Sequence, residues 1–410
     1  MKQAYAIIIT LFLFHLHTMA GVIRVGKGGI TTIREGLNVA KAGDTIMVYE
    51  GLYKEQNLVV TKPVTLKGVN YPVIDGEGKY EIITIKASHV IVEGLVVQHS
   101  GRSGMQDFAG IKIVNARYVT VRDNILKENY FGIFSQFGFK CVIINNKLSA
   151  SGTTEQQSGN GIHCWKSDSM QVIGNTISGH RDGIYFEFVT NSLIWKNRSE
   201  KNIRYGLHFM FSNNDSYISN IFRDNGAGVA VMFTKGVKMF NNYFQENRGE
   251  AAYGILLKEI SDSHIEGNHF ENNTMGIYME GSNRIIIKRN QFLQNGWAVK
   301  IQASCEGNNL QRNNFIGNTF DIGTNGSLVL NTFDYNYWSK YEGYDLNKDR
   351  LGDVPFRPVS IYSMIVETNP PAMMLFRSLI VGLLDKTEKL LPGITPEIKD
   401  NHPLMKPIAL

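Results

Sequence analysis

Asparagine returns along this chain at a nearly fixed interval, and that interval restricts the fold more than any other feature of its 410 residues. In one series an Asn stands two residues before an apolar side chain: Asn124/Leu126, Asn146/Leu148, Asn175/Ile177, Asn220/Phe222, Asn242/Phe244, Asn268/Phe270, Asn290/Phe292 and Asn313/Phe315. Asn197 keeps the place but is followed by Ser199. Successive members are separated by 22, 29, 22, 23, 22, 26, 22 and 23 residues. A second Asn series lies five residues on, at Asn129, Asn202, Asn225, Asn247, Asn273, Asn295 and Asn318. A third pattern, Gly-apolar-x-apolar, begins at Gly110, Gly132, Gly161, Gly183, Gly206, Gly228, Gly254 and Gly276. The two long intervals read as insertions, near Gly152–Ser158 and Arg248–Ala251.

A unit of this size with short alternating stretches predicts an all-β fold, a right-handed parallel β-helix wound as a single solenoid of about 22 residues per rung. Rungs stack at about 4.8 Å, so like residues form ladders. Asn at the corners is expected to bond its neighbours above and below while taking up left-handed backbone. Gly is expected to supply positive φ at the bend before a strand. Pro removes ladder donors, and the chain has only 10 Pro against 37 Asn and 40 Gly, with Pro gathered toward the tail. A leucine-rich repeat has a similar period but needs a Leu pattern and a helical half that are missing, and a propeller needs about twice the period. Disorder is excluded at 43% hydrophobic residues, as is collagen by the low Pro and Gly content. Cys141, Cys164 and Cys305 are too scattered for a disulfide framework, and a net charge of +5 spread along the chain predicts no nucleic-acid partner.

The chain divides into four stretches. Residues 1–20 read as a signal peptide, with Lys2 as the positive end, an apolar run from Ala4 to Leu16 and Thr18-Met19-Ala20 as the cleavage site; this predicts export to the periplasm. Residues 21–340 carry the β-helix, opened by a short capping helix over Thr31–Ala42 that places Ile33, Leu37 and Ala40 on one face. Residues 341–369 form a turn-rich Asp/Asn loop segment. Residues 370–410 form a C-terminal amphipathic helix and tail for docking, with apolar Met373, Phe376, Leu379, Leu383 and Leu384 between charged residues.

In the Gly-apolar-x-apolar pattern the apolar pair points inward, so the second and fourth residues after Gly point outward. Down one face this sets Phe134/Gln136, His163/Trp165, Tyr185/Glu187, His208/Met210, Ala230/Met232, Leu256/Lys258 and Tyr278/Glu280. Aromatic, His and Met side chains on a face of this kind indicate a binding surface, with Trp165, Tyr185 and Tyr278 as docking residues. His208, Met210 and Met232, with His163 as a further ligand, suit Cu(I), because thioether and imidazole are ligands for a soft ion. A competing assignment is an exported polysaccharide-binding or polysaccharide-modifying β-helix, in which Asp182 and Glu187 are the carboxyl pair among His180, Arg181 and their neighbours, and Trp165 and Tyr185 stack a sugar ring. In the loop segment, Asp345, Asn347, Asp349 and Asp353 stand at positions 1, 3, 5 and 9 of a Ca²⁺-type loop. Arg350 at position 6 and Phe356 at position 12 depart from an EF-hand.

The tail carries a more specific signal. NYWS…GYDLNKDRLGDVPFRP, then PAMMLFRSLIVGLLDKTEKLLPGITPE and HPLMKP, resembles the NosD family of nitrous-oxide-reductase maturation proteins. The opening GKGGITTIREGLNVAKAGDTIMVYEGLY and the β-helix extend the likeness over nearly the whole chain. The resemblance implies a periplasmic accessory protein, peripheral to the inner membrane and not an enzyme. It implies as partners the NosF/NosY ABC transporter, the copper chaperone NosL and the reductase NosZ, whose copper–sulfide centre the assembly helps to build. Cu(I) is then a transient cargo, or the cargo is a sulfur species. The His/Met face becomes the place of copper relay or partner contact, and the terminal helix the contact with the transporter.

Overall fold

A computed structural model describes residues 20–103, 106–249, 252–326, 330–390, 396 and 398–409. The predicted signal segment lies outside the described residues, except for Ala20. The chain forms a right-handed parallel β-helix, with three sheets of 14, 13 and 12 strands among the described residues. The first sheet runs from Val22–Val25 to Thr332–Asp334, the second from Leu52–Tyr53 to Tyr337–Trp338 and the third from Leu58–Val60 to Phe320–Thr324. Like residues of successive rungs stand opposite one another, as in Phe222–Phe244–Phe270. The apolar member of the first Asn series therefore becomes an interior column. Its rings stack from Phe244 to Phe270, Phe292 and Phe315 at 4.8 to 4.9 Å and finish on Trp338 at 4.2 Å.

The asparagines at the corner entering the second sheet are buried and linked. The Oδ1 of Asn146 accepts from both the backbone N–H and the side-chain amide of Asn124, and the same pair of bonds repeats at each step through Asn175, Asn197, Asn220, Asn242, Asn268, Asn290, Asn313 and Asn336. The second series is linked in the same way from Asn202 to Asn318, apart from side-chain variations at its ends. The ladder asparagines themselves are not left-handed. That conformation falls on the residue before each one: Asp123, Asn145, Lys196, Ser219, Asn241, Arg289 and Arg312 before the first series, Glu128, Lys201, Asp224, Glu246, Asn272 and Gln294 before the second. The backbone bonds of the flanking strands impose the turn, so residue types that rarely choose it accept it.

The recurrent glycines also differ from expectation. Gly161, Gly206 and Gly254 do not have positive φ; an added Cβ would stand 2.7, 2.7 and 2.6 Å from the carbonyl oxygen of the next glycine along. Glycine is required there for close approach of the rungs, not for its conformational range.

Helix α1 (Ile33–Val39) is capped by Thr32, whose side chain accepts from the Glu35 N–H, and it lays Ile33 and Leu37 over the open end of the coil. At the other end the structure divides the predicted single helix. Helix α2 (Ile361–Thr368) lies inside the stretch expected to be loop; Ser360 and Ser363 form a capping box at its start. Pro370–Leu375 is a 3₁₀ turn, and helix α3 (Leu379–Leu390) follows a break at left-handed Arg377. The side chains of Asp385 and Lys389 and residues 391–395 lie outside the described residues. The chain then returns to the coil: Asp400 accepts from the N–H groups of Tyr335 and Asn336, the Asn336 amide and the Trp338 indole.

Candidate functional site

The outward positions of the third sheet form the columns that the repeat predicts. Phe134, His163, Tyr185, His208, Ala230, Leu256 and Tyr278 stand opposite one another rung by rung. Gln136, Trp165, Glu187, Met210, Met232, Lys258 and Glu280 form the parallel column. The first column is more enclosed than an outer face should be, with His163 and His208 only 9% and 6% exposed. Its rings form a continuous stack: Phe134 to His163 at 4.6 Å, His163 to Tyr185 at 4.8 Å and Tyr185 to His208 at 4.7 Å.

Asp182 anchors this face. Its carboxylate is fully buried and takes two bonds from Arg204, Nε to Oδ1 at 2.9 Å and Nη2 to Oδ2 at 2.6 Å. His208 Nδ1 lies 3.5 Å from Oδ2. Burial alone would raise the carboxyl pKa, but His208 and Arg204 outweigh it and hold Asp182 below the usual carboxylate range. Arg204 also reaches Glu155 at 3.8 Å, so the Gly152–Ser158 insertion does fold onto this face. A carboxylate so engaged is not presented to a substrate, which removes one half of the Asp182/Glu187 pair required by the polysaccharide chemistry. Beside it, the ring nitrogens of His163 and His180 make no hydrogen bond. Burial pushes His163 down to about 3 and His180 down to about 4, so both imidazoles are neutral at pH 7.

The four residues proposed for Cu(I) separate into a group and an outlier. Met210 follows His208 by two on one strand, and Met232 stands directly opposite Met210. His208 turns Nδ1 toward Asp182 while its Nε2 makes no hydrogen bond, and Met210 Sδ accepts from the Tyr185 hydroxyl at 3.6 Å. His163 does not join them. It lies two rungs from His208, with the Tyr185 ring filling the space between. Among the described residues no group of three or more His, Cys, Asp or Glu side chains is arranged to hold a metal ion. In the loop segment Asp345, Asn347, Asp349 and Asp353 direct oxygens at backbone N–H groups of the loop itself: Asp345 at Asp349 and Arg350, Asn347 at Asp349, Asp349 at Leu351 and Asp353 at Leu346. That is the bonding of Asx turns.

One element of this face was not anticipated. The residue after the second column begins the corner leaving the third sheet, and it is left-handed in every rung from Asn115 to Gly281. In four of these rungs it is phenylalanine: Phe137, Phe188, Phe211 and Phe233. Left-handed backbone costs a non-glycine residue about 1 kcal/mol, and three of these rings are also exposed, at 42%, 44% and 38% for Phe137, Phe188 and Phe211. Phe188 stacks on Phe211 and Phe211 on Phe233, each at 5.1 Å. Trp165 meets Phe137 edge-on at 5.0 Å, with the Lys166 ammonium 4.5 Å from the indole. The signal was present as a Phe five residues after Gly132, Gly183, Gly206 and Gly228.

The C-terminal helices lie on this same sheet, farther along. Tyr362 and Val366 of α2 and Val381 of α3 pack on Trp297 and Phe320, and Lys300 pairs with Glu367 at 2.6 Å. Tyr278, half-buried beside them, has the Lys300 ammonium 5.8 Å from its ring. The other side of this segment is bare. Met374 is 90% and Leu379 89% exposed, Leu383, Phe376 and Met373 are exposed as well, and Leu384 is half-buried. Among the described residues no helix is long and apolar enough to cross a membrane.

Comparison with known proteins adds three findings. The family described as "Periplasmic copper-binding protein (NosD)" matches residues 144–343, and that described as "Right handed beta helix region" matches residues 23–177. The "Probable ABC transporter binding protein NosD" of Stutzerimonas stutzeri is 27% identical over 380 residues, 87% of this chain and 85% of its own. The protein of the same description from Pseudomonas aeruginosa is 28% identical over 372 residues, 85% of this chain and 86% of its own. Among solved structures, the Dettilon tailspike protein superposes with a TM-score of 0.60 at 12% identity, covering 76% of this chain and 70% of that one. The family 28 exopolygalacturonase of Yersinia enterocolitica superposes with 0.53 at 10%, covering 74% and 77%. At such identities these structures share the fold alone.

Proposed function

The chain belongs to the NosD family, and from that premise we propose that it works in the periplasm beside an ABC transporter, NosF/NosY, in assembling the copper–sulfide centre of the reductase NosZ. Its part is to scaffold or relay the cargo, without transforming it. Cu(I) received from the chaperone NosL is the cargo that the His208–Met210–Met232 group suits: an imidazole nitrogen and two thioethers are soft donors. With Nδ1 turned to Asp182, His208 Nε2 is the nitrogen left without a partner.

The observation that carries this reading is the bare apolar ridge of the C-terminal segment. Its inner side is fixed to the coil through Val381, while Leu379 and Leu383 face outward at 89% and 63% exposure. A ridge held in place and left uncovered suits a partner at the membrane. The test is co-purification with the transporter. Leu379→Ser with Leu383→Ser should abolish it while the coil stays folded, and retention of the complex would overturn the assignment. Truncation at Pro370 is not a clean alternative, because it also removes Asp400, which closes the last rung. A reductase produced without this protein should lack its copper–sulfide centre.

A further inference from the structure

We propose that the phenylalanine corner and the methionines beside it form a docking strip for an extended protein segment that is close to neutral and presents methionine side chains. The inference goes beyond the accessory role above and does not require copper to bind this chain.

The fold does not call for phenylalanine at this corner. The same left-handed position is filled by Asn115, Lys166, Glu259 and Gly281 in other rungs. Asn or Gly is the residue that such a backbone prefers. Three consecutive rungs instead carry Phe188, Phe211 and Phe233, two of them more than a third exposed. Along their inner margin runs the second column, where Met210 and Met232 stand opposite each other and half-buried.

The geometry of the rings selects the occupant. Phe188 and Phe211 are inclined by 10° and Phe211 and Phe233 by 17°, so neighbouring rings cover each other's faces. What they offer to solvent is their edges, the electropositive part of an aromatic ring. A sugar packs on a ring face and finds little here. A thioether sulfur packs at a ring edge, about 5 Å away, and methionine is also flexible enough to fill the relief between rungs.

Charge points the same way. By register Lys166, Lys235 and Lys258 border the strip, and Asp168, Glu187 and Glu259 offset them. A balanced margin favours neither an acidic polysaccharide nor an anionic lipid surface, and it is compatible with a segment of low net charge.

The test uses the full chain in the presence of a copper chelator. The probes are a fluorescent peptide with methionine at alternate positions between Ser and Gly, and the same peptide with norleucine in place of methionine. The triple variant Phe188→Asn, Phe211→Asn, Phe233→Asn keeps residue types that the left-handed corner accepts. The expected result is binding of the methionine peptide by the wild type, weaker binding of the norleucine peptide, and at least about tenfold weaker binding by the variant. The thermal midpoint of the variant should stay within about 2 °C of wild type. Equal binding of the two peptides, or unchanged binding by the variant, overturns the proposal. So does displacement of the peptide by oligomannuronate, or a wild-type dimer in sedimentation that the variant abolishes; each assigns the strip to another occupant. A fall of the midpoint by about 8 °C or more makes the rings part of the fold and overturns it as well.

Discussion

At the corner entering the second sheet, each Asn from Asn124 to Asn313 bonds the next, and each is almost fully buried. On the third sheet, the imidazoles of His163 and His208 have nitrogens without hydrogen bonds, and at its outer margin phenylalanines are exposed in a backbone conformation they disfavour. Both regions belong to the same coil and repeat with the same rung. The first shows what the fold needs: a closed chain of amides that leaves no donor over. The second shows what the fold tolerates without needing, and that surplus is where a function is to be sought.

The largest expected difference between them is in acid. Amides do not titrate, whereas the buried imidazoles of His163, on the third sheet, and His180, in the turn that leads into it, do. The folded pKa values of His163 and His180 are depressed below the unfolded value of about 6.5. The unfolded chain therefore takes up protons first, and stability present above pH 6.5 is lost as pH falls toward 4 and 3. Between pH 7 and 5 this amounts to about 2 kcal/mol for each imidazole. His163→Phe, which continues the stack of Phe134 and Tyr185, should remove about half of that loss in denaturant titrations at the two pH values.

Breaking the amide chain should cost somewhat less but at every pH. In Asn220→Ala the backbone N–H and side-chain amide of Asn197 lose their acceptor, and the Ile194 carbonyl loses a donor. A loss of about 3 kcal/mol is expected from urea unfolding. Asp400→Ala removes the last acceptor instead and should cost about 2 kcal/mol, seen as faster hydrogen exchange at Tyr335 and Asn336. The smallest effect belongs to the aromatic corner. Phe211→Asn exchanges two ring contacts for relief of left-handed strain and should leave stability within about 0.5 kcal/mol. A larger drop would mean that the two regions differ less than they look.

The solenoid could be read from the sequence because its signal is repeated in every rung. Interval alone placed Met210 opposite Met232 and the phenylalanines of the first Asn series opposite one another. Conformation was harder. Asn was expected to be the left-handed residue, but Lys196, Arg289 and Glu246 occupy that state because bonds to the rungs on either side hold them there, and no residue preference reports such a constraint. His163 and His208 are separated by regular steps of 22 and 23 residues, so the interval already set Tyr185 between them; what it did not report is that the Tyr185 ring fills the space between the two imidazoles. Helix α2 carried a capping box in Ser360 and Ser363 that a turn-rich composition obscured. Asp400 could not be assigned to Asn336, 64 residues away, because a single long-range bond has no period.

The bond from Asn336 to Asp400 also sets an order in time. In the first ladder each Asn sends one side-chain N–H back to a carbonyl of the earlier rung, and its other side-chain N–H and its backbone N–H forward to the Asn of the later one. A growing chain therefore always holds one newest Asn whose donors wait for a residue not yet made. For each earlier rung the wait lasts 22 to 29 residues; for Asn336 it lasts 64, while the loop segment and both C-terminal helices are laid down. The coil is thus the first part to take shape and the last to be finished. Completion of its final rung reports that both C-terminal helices have already been made.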